Sequence, residues 1–126
     1  MIAINIIADA KFPFDRTQLR EHLTQVLAKF RLTDKIEVDV QVVGKRKMSE
    51  LHRVYMKLEG PTDVLSFPLN DSADDRPFIS SPDGILRLGD IVVCYPVAVE
   101  EALEKQCKVD EQIKFLAENG LMHFLG

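Results

Sequence analysis

Between Ile36 and Val42 apolar and polar residues alternate strictly: Ile36, Val38, Val40 and Val42 are separated by Glu37, Asp39 and Gln41. Successive side chains of a strand point to opposite faces, so this pattern puts one face in a core and the other in water. A chain that contains it must build a sheet and must cover one face of that sheet with something else.

Neighbouring segments supply the cover. Ile2 to Ile7 is rich in β-branched residues and predicts a buried strand. Phe12-Pro13-Phe14-Asp15 breaks it, and Asp15 or Thr17 can cap a helix. Its apolar residues Leu19, Leu23, Val26, Leu27 and Phe30 recur at three- and four-residue intervals. Leu32 to Lys35 turns the chain into the alternating strand, which Gly44 ends. Lys45 to Lys57 predicts a helix with Met48, Leu51, Val54 and Tyr55 on one side, stopped by Gly60-Pro61. Val64 to Leu69 predicts a strand, Asn70 to Gly84 an exposed loop or irregular hairpin, and Ile85 to Tyr95 another strand. Pro96 suits the start of a helix in which Val97, Val99, Ala102 and Leu103 are the inward candidates. Lys108-Val109-Asp110 separates it from a final helix around Glu111 to His123. The order β-α-β-α-β-β-α-α predicts one α+β domain over residues 1–126, with a mixed sheet of about four strands covered mainly by helices.

A chain of 126 residues with 46% apolar residues can bury a real core. No apolar run approaches the roughly 20 residues a membrane span needs. Met1 to Asp9 has no basic leader before its apolar residues, which argues against a signal peptide and for the cytoplasm. Cys94 and Cys107 are too few for a disulfide framework or a zinc knuckle and read as two thiols in a reducing compartment. The net charge of −4 speaks against non-specific nucleic-acid binding, but the charge is uneven. Through Lys57 there are eleven Lys and Arg against seven Asp and Glu, and from Leu58 onward five against thirteen. A local basic patch, Lys45-Arg46-Lys47 with His52, Arg53 and Lys57 further along the same helix, is therefore compatible with phosphate binding. Charge runs are more often solvated faces.

Three further segments carry candidate chemistry. Asn119 and His123 are four residues apart and so share a helix face. Two imidazoles at that spacing grip one ion in the helical half-sites of zinc enzymes, but an asparagine amide oxygen is a poor zinc ligand. A zinc-protease helix would need a glutamate after the first ligand, where Gly120 stands. Alone, His123 reads as a partly buried helix histidine, and Asn119-Gly120 reads equally as a helix C-cap. Pro61-Thr62-Asp63 is good turn chemistry in its own right. Ser66 lacks an identifiable base to activate it as a nucleophile. Asp90, entering a buried strand, must be paired or hydrogen-bonded; it either pins a turn or orients a metal-binding imidazole.

Together, Pro61-Thr62-Asp63-Val64-Leu65-Ser66-Phe67-Pro68, Leu88-Gly89-Asp90-Ile91-Val92-Val93 and the ending Asn119-Gly120-Leu121-Met122-His123-Phe124-Leu125-Gly126 resemble the YbeY family. These are metal-dependent endoribonucleases that trim ribosomal RNA, with the signature His-Gly-x-Leu-His-Leu-x-Gly-Tyr-Asp-His. Asn119 takes the place of the first histidine, His123 matches the second, and the third would lie past Gly126. The resemblance implies one zinc ion with His123 as preserved ligand and catalytic residue, and a cleft bordered by the strand bearing Ser66. It implies that Lys45, Arg46, Arg53 and Lys57 hold ribosomal RNA and that Ser66 meets the substrate. Thr62, Asp63, Asp90 and Gly120 would be supporting residues. The arginine that the family carries after the tyrosine of this helix is Met56 here, beside Lys57. A ribosome- or RNA-binding module without catalysis on the same fold is the alternative these departures support.

Overall fold

The computed structural model describes residues 1–30, 35–69 and 84–125. The strands are β1 (Ile2–Ala8), β2 (Lys35–Val43), β3 (Val64–Pro68) and β4 (Ile85–Cys94). The helices are α1 (Arg16–Ala28), α2 (Lys45–Met56), α3 (Tyr95–Lys105) and α4 (Val109–Leu125). The sheet order is β1-β2-β4-β3, with β1, β2 and β4 parallel and β3 antiparallel at one edge. The expected element order and α+β mixed sheet are both present. The polar stretch 70–83 and the turn 31–34 lie outside the described residues.

Alternation in β2 does what its pattern demands. Ile36, Val38, Val40 and Val42 are buried, and Glu37, Asp39 and Gln41 look the other way. The buried face meets Leu19, Leu23 and Leu27 of α1 and Ile113, Leu116, Ala117 and Leu121 of α4, together with Ile91 and Val93 of β4. A smaller core lies on the opposite face, where Met48 of α2 packs with Leu65, Val92 and Cys94. At about 25 cal/mol per Å² of apolar surface removed from water, this burial supplies the main driving force for folding.

Several local expectations change. β1 is an edge strand with only Ile4 fully buried and Ile7 61% exposed, because none of the described residues covers its second face. Asp15, rather than Thr17, caps α1 by accepting from the Gln18 amide. Phe30 lies past the end of α1 and is exposed. On α2 Met48 is buried, but Val54 and Tyr55 are exposed, since the helix covers only part of the sheet. α2 stops at Met56, before Gly60-Pro61, with Lys57 in the left-handed conformation and its amide bonded back to Arg53. Gln106 ends α3 in the same way. Both are non-glycine residues in the geometry that normally favours glycine, so composition does not mark these helix ends. In α3 Ala98 and Ala102 face inward, whereas Leu103 is 75% exposed.

β4 carries one extra residue opposite β2: Glu37 pairs with Arg87, but Val38 pairs with Gly89, so Leu88 is the bulge. The bulge lets Leu88 and Ile91 share the buried face although they are three residues apart. Gly89 has φ +145°, and its Cα lies against the backbone of Phe67 and Pro68 on β3.

Candidate active site where β3 meets α4

The site is built by two elements far apart in sequence. β3 directs Val64 and Ser66 toward α4, and α4 presents Gly120 and His123 in return. Gly120 makes this approach possible: a Cβ there would lie 2.9 Å from Ile91 Cγ2 and 3.5 Å from Val64 Cγ2. The helix continues past it to Leu125, so Asn119-Gly120 is no helix C-cap. The roughly 1 kcal/mol that glycine costs inside a helix is offset by close helix–sheet contact.

His123 is exposed, and its Nδ1 lies 3.1 Å from Ser66 Oγ. That hydroxyl either accepts from Nδ1–H or donates to the bare nitrogen. Sequence reading found no base for Ser66; the fold puts an imidazole there from 57 residues away. Among the described residues none bonds Nε2, the other ring nitrogen. Met56, Val64, Leu65, Ser66, Gly120 and His123 line a cavity of about 220 Å³. Met56 thus supplies an uncharged thioether to the wall of this cavity.

Asn119 lies one turn before His123 on α4 and is exposed. Among the described residues no group of three or more His, Cys, Asp or Glu side chains can hold a metal ion. One imidazole and one amide do not make a zinc site, so a zinc ion does not fit the described residues by themselves.

The remaining candidates are elsewhere. Lys45 is held by Glu100 of α3 at 2.7 Å, and this hydrogen bond and charge push the Lys45 ammonium pKa up. Arg46 and Arg53 border a separate shallow groove beside Glu50 and Glu59, where the basic charge is partly neutralised. Lys57 sits at the left-handed end of α2. None of these four cations lines the His123 cavity. His52 Nδ1 meets the Gly60 carbonyl at 2.9 Å and fastens the loop after α2.

Asp63 is structural. Its carboxylate accepts from the Val64 amide at 2.7 Å, and its carbonyl accepts from the Cys94 amide at 2.9 Å. It also shares a hydrogen bond with Glu101 of α3, whose carboxyl is pushed up mainly by burial, with the buried Gln112 amide pulling it down and Asp63 pushing it up. Thr62 is half-buried in the turn just before. Burial likewise pushes the Cys94 thiol up, so it is an inert packing residue.

Asp90 does not orient His123. It lies within β4, in register with Asp39 of β2, on the face that looks toward α2. Partial burial, together with the charge and hydrogen bond of Asp39, pushes its carboxyl above the ordinary 3.8. A carboxyl whose folded pKa is raised binds more protons folded than unfolded, so its stabilising contribution is full below 3.8 and lost as pH rises through the folded value. Asp90→Asn keeps a hydrogen bond to Asp39 and removes the repulsion. It is expected to raise stability at pH 7 by a few tenths of a kcal/mol, allowing for solvent screening, and to leave it unchanged or lower near pH 3. Urea midpoints at the two pH values check this; an equal shift at both would show that repulsion is not the cause.

The three segments read from sequence thus lie on adjoining elements, β3, β4 and α4. The chain is 32% identical over 125 residues to the endoribonuclease YbeY of Thermobifida fusca, covering 99% of this chain and 79% of that protein. It is 39% identical over 90 residues to that of Moorella thermoacetica, covering 71% and 58% respectively. A Thermotoga maritima protein solved in solution superposes with a TM-score of 0.60 at 25% identity, over 98% of this chain and 72% of that one. The pattern of the endoribonuclease YbeY family matches residues 5–126, from within β1 through β2, β3, β4 and the four described helices, and the chain belongs to that family.

Proposed function

We propose that this protein acts on single-stranded segments of ribosomal RNA, in the cytoplasm, in rRNA maturation and ribosome quality control. Membership of an endoribonuclease family supports a hydrolytic nuclease activity on RNA. The observation that carries the reading is the pairing of Ser66 with His123 on the wall of an open cavity. Held through Nδ1, the ring keeps a set direction, and Nε2, which no described residue bonds, can meet a phosphodiester, a water or a metal. In this reading cleavage depends on a divalent metal, with His123 as one ligand. Completing such a site takes donors besides the described residues, and no step is assigned to the ion. No helix among the described residues is long and apolar enough to cross a membrane.

Asn119 and Met56 favour a second reading, an RNA-binding module without cleavage, because both replace groups that would act on metal or phosphate. Incubation with single-stranded rRNA fragments, with and without a chelator, separates the two. Cleavage that stops on chelation and returns with added zinc is the expected result. Binding without cleavage at any metal concentration leaves the module; cleavage indifferent to chelation sinks metal dependence.

A further inference from the structure

Tyr55 and Met56 are consecutive at the end of α2, and Ser66 and Phe67 are consecutive on β3. In each pair the two side chains serve different cavities. Met56 and Ser66 line the His123 cavity, whereas Tyr55 and Phe67 line a second cleft on the opposite face of the sheet. The two cavities are thus back to back across β3. Among the described residues that strand is the edge of the sheet, paired on one side only with β4. A flexible chain passing round this edge meets both.

The second cleft has a volume of about 280 Å³. This is just under the roughly 300–1,000 Å³ of clefts that take drug-sized ligands, a size for one flat ring system rather than a folded peptide. Its walls are the rings of Tyr55 and Phe67, with centroids 5.1 Å apart and planes inclined at 64°. An edge-on pair leaves a ring face open to a third aromatic. Tyr55 is 63% exposed despite its size. Val92 is an apolar part of the lining, while Gln41, Lys47 and Asp90 supply an amide, an ammonium and a carboxyl. Between them these groups donate and accept hydrogen bonds at the edge of a ring and offer one cation to a phosphate.

We infer that this cleft holds one unpaired nucleobase of the RNA strand whose backbone runs past Ser66 and His123, with Tyr55 as its stacking platform. The inference rests on the RNA-directed reading above. Single-strand binders combine aromatic stacking with scattered cations in this way, and a base in a duplex could not enter. The site therefore accounts for selection of single strands by geometry, apart from any chemistry at His123.

The test uses the whole chain and a fluorescein-labelled, mixed-sequence single-stranded oligoribonucleotide followed by anisotropy. Tyr55→Ala is expected to weaken binding about tenfold, equivalent to about 1.4 kcal/mol. Tyr55→Phe retains the affinity, and the loss persists at high salt because stacking releases no counterions. A second readout needs no truncation. The chain has two tyrosines and no tryptophan, so in a Tyr95→Phe variant Tyr55 is the only emitter above phenylalanine. Its fluorescence is expected to be quenched on saturation with the unlabelled oligonucleotide. Unquenched emission, or Tyr55→Ala binding within twofold of wild type, overturns the inference and leaves the RNA-directed reading standing. No binding of the oligonucleotide by the wild-type chain overturns both.

Discussion

Gly89→Ala is expected to lower the stability of this protein by about 3–5 kcal/mol, one of the largest losses a single methyl group can cause here. Two costs add. The backbone at φ +145° is strained for any residue with a Cβ, typically by about 1–3 kcal/mol. The new methyl would also strike the Phe67 carbonyl oxygen and lie 3.0 Å from both Pro68 Cα and Phe124 Cζ. Two of these three neighbours are backbone of the paired strand and cannot rotate away, so overpacking adds about 1–3 kcal/mol. Domains of this size have only about 5–15 kcal/mol in total, and Tm is expected to fall by roughly 10–20 °C. Thermal and urea unfolding measure it. A drop below 1 kcal/mol would mean that β3 shifts freely along β4, in which case the Ser66–His123 distance is not held by the sheet.

Asn119→His is expected to have the largest effect on metal affinity. The substitution puts a second imidazole four residues before His123 on the exposed face of α4, the spacing at which two ring nitrogens reach one ion. Zinc affinity, read by competition with a chromophoric chelator, is expected to rise by more than the roughly 10–100-fold that an outer hydrogen-bonding partner of a ligand is worth. The gain is expected to vanish in Asn119→His with His123→Ala, because one imidazole is again left. Equal zinc binding by wild type, Asn119→His and His123→Ala would remove His123 from any metal site. Metal loading that rises together with RNA cleavage in Asn119→His would identify residue 119 as the point at which the wild-type chain is limited.

Much of the architecture is legible in the chain because it follows from local physics. The two-residue period of β2, the three- and four-residue spacing of α1 and the cap at Asp15 each depend on neighbours within a few positions. The candidate site is less legible. Ser66 and His123 were each visible as candidates, but their contact depends on how β3 and α4 approach, and that distance is set by Gly120 against Ile91. Asp90 failed as a partner for His123 because the bulge at Leu88 fixes which side chains of β4 face α4. The Lys45 patch lost its apparent strength when Glu100 arrived from α3. Tyr55 shares one side of a helix with Met48 and Leu51, but that spacing says nothing about where the sheet ends, and Tyr55 is exposed.

The sequence by itself therefore determined the element order, the α+β class and the residues capable of chemistry, since periodicity, caps and side-chain types are properties of short segments. Only the tertiary structure decided which of those residues meet. It placed Ser66 with His123, separated Asp90 and the cations from them, and turned Tyr55 and Phe67 into a cleft on the far face. The physical reason is that these outcomes depend on the face each strand presents and on how closely a helix can approach it. A single bulge at Leu88 and a missing Cβ at Gly120 set both, through contacts with residues far away in sequence.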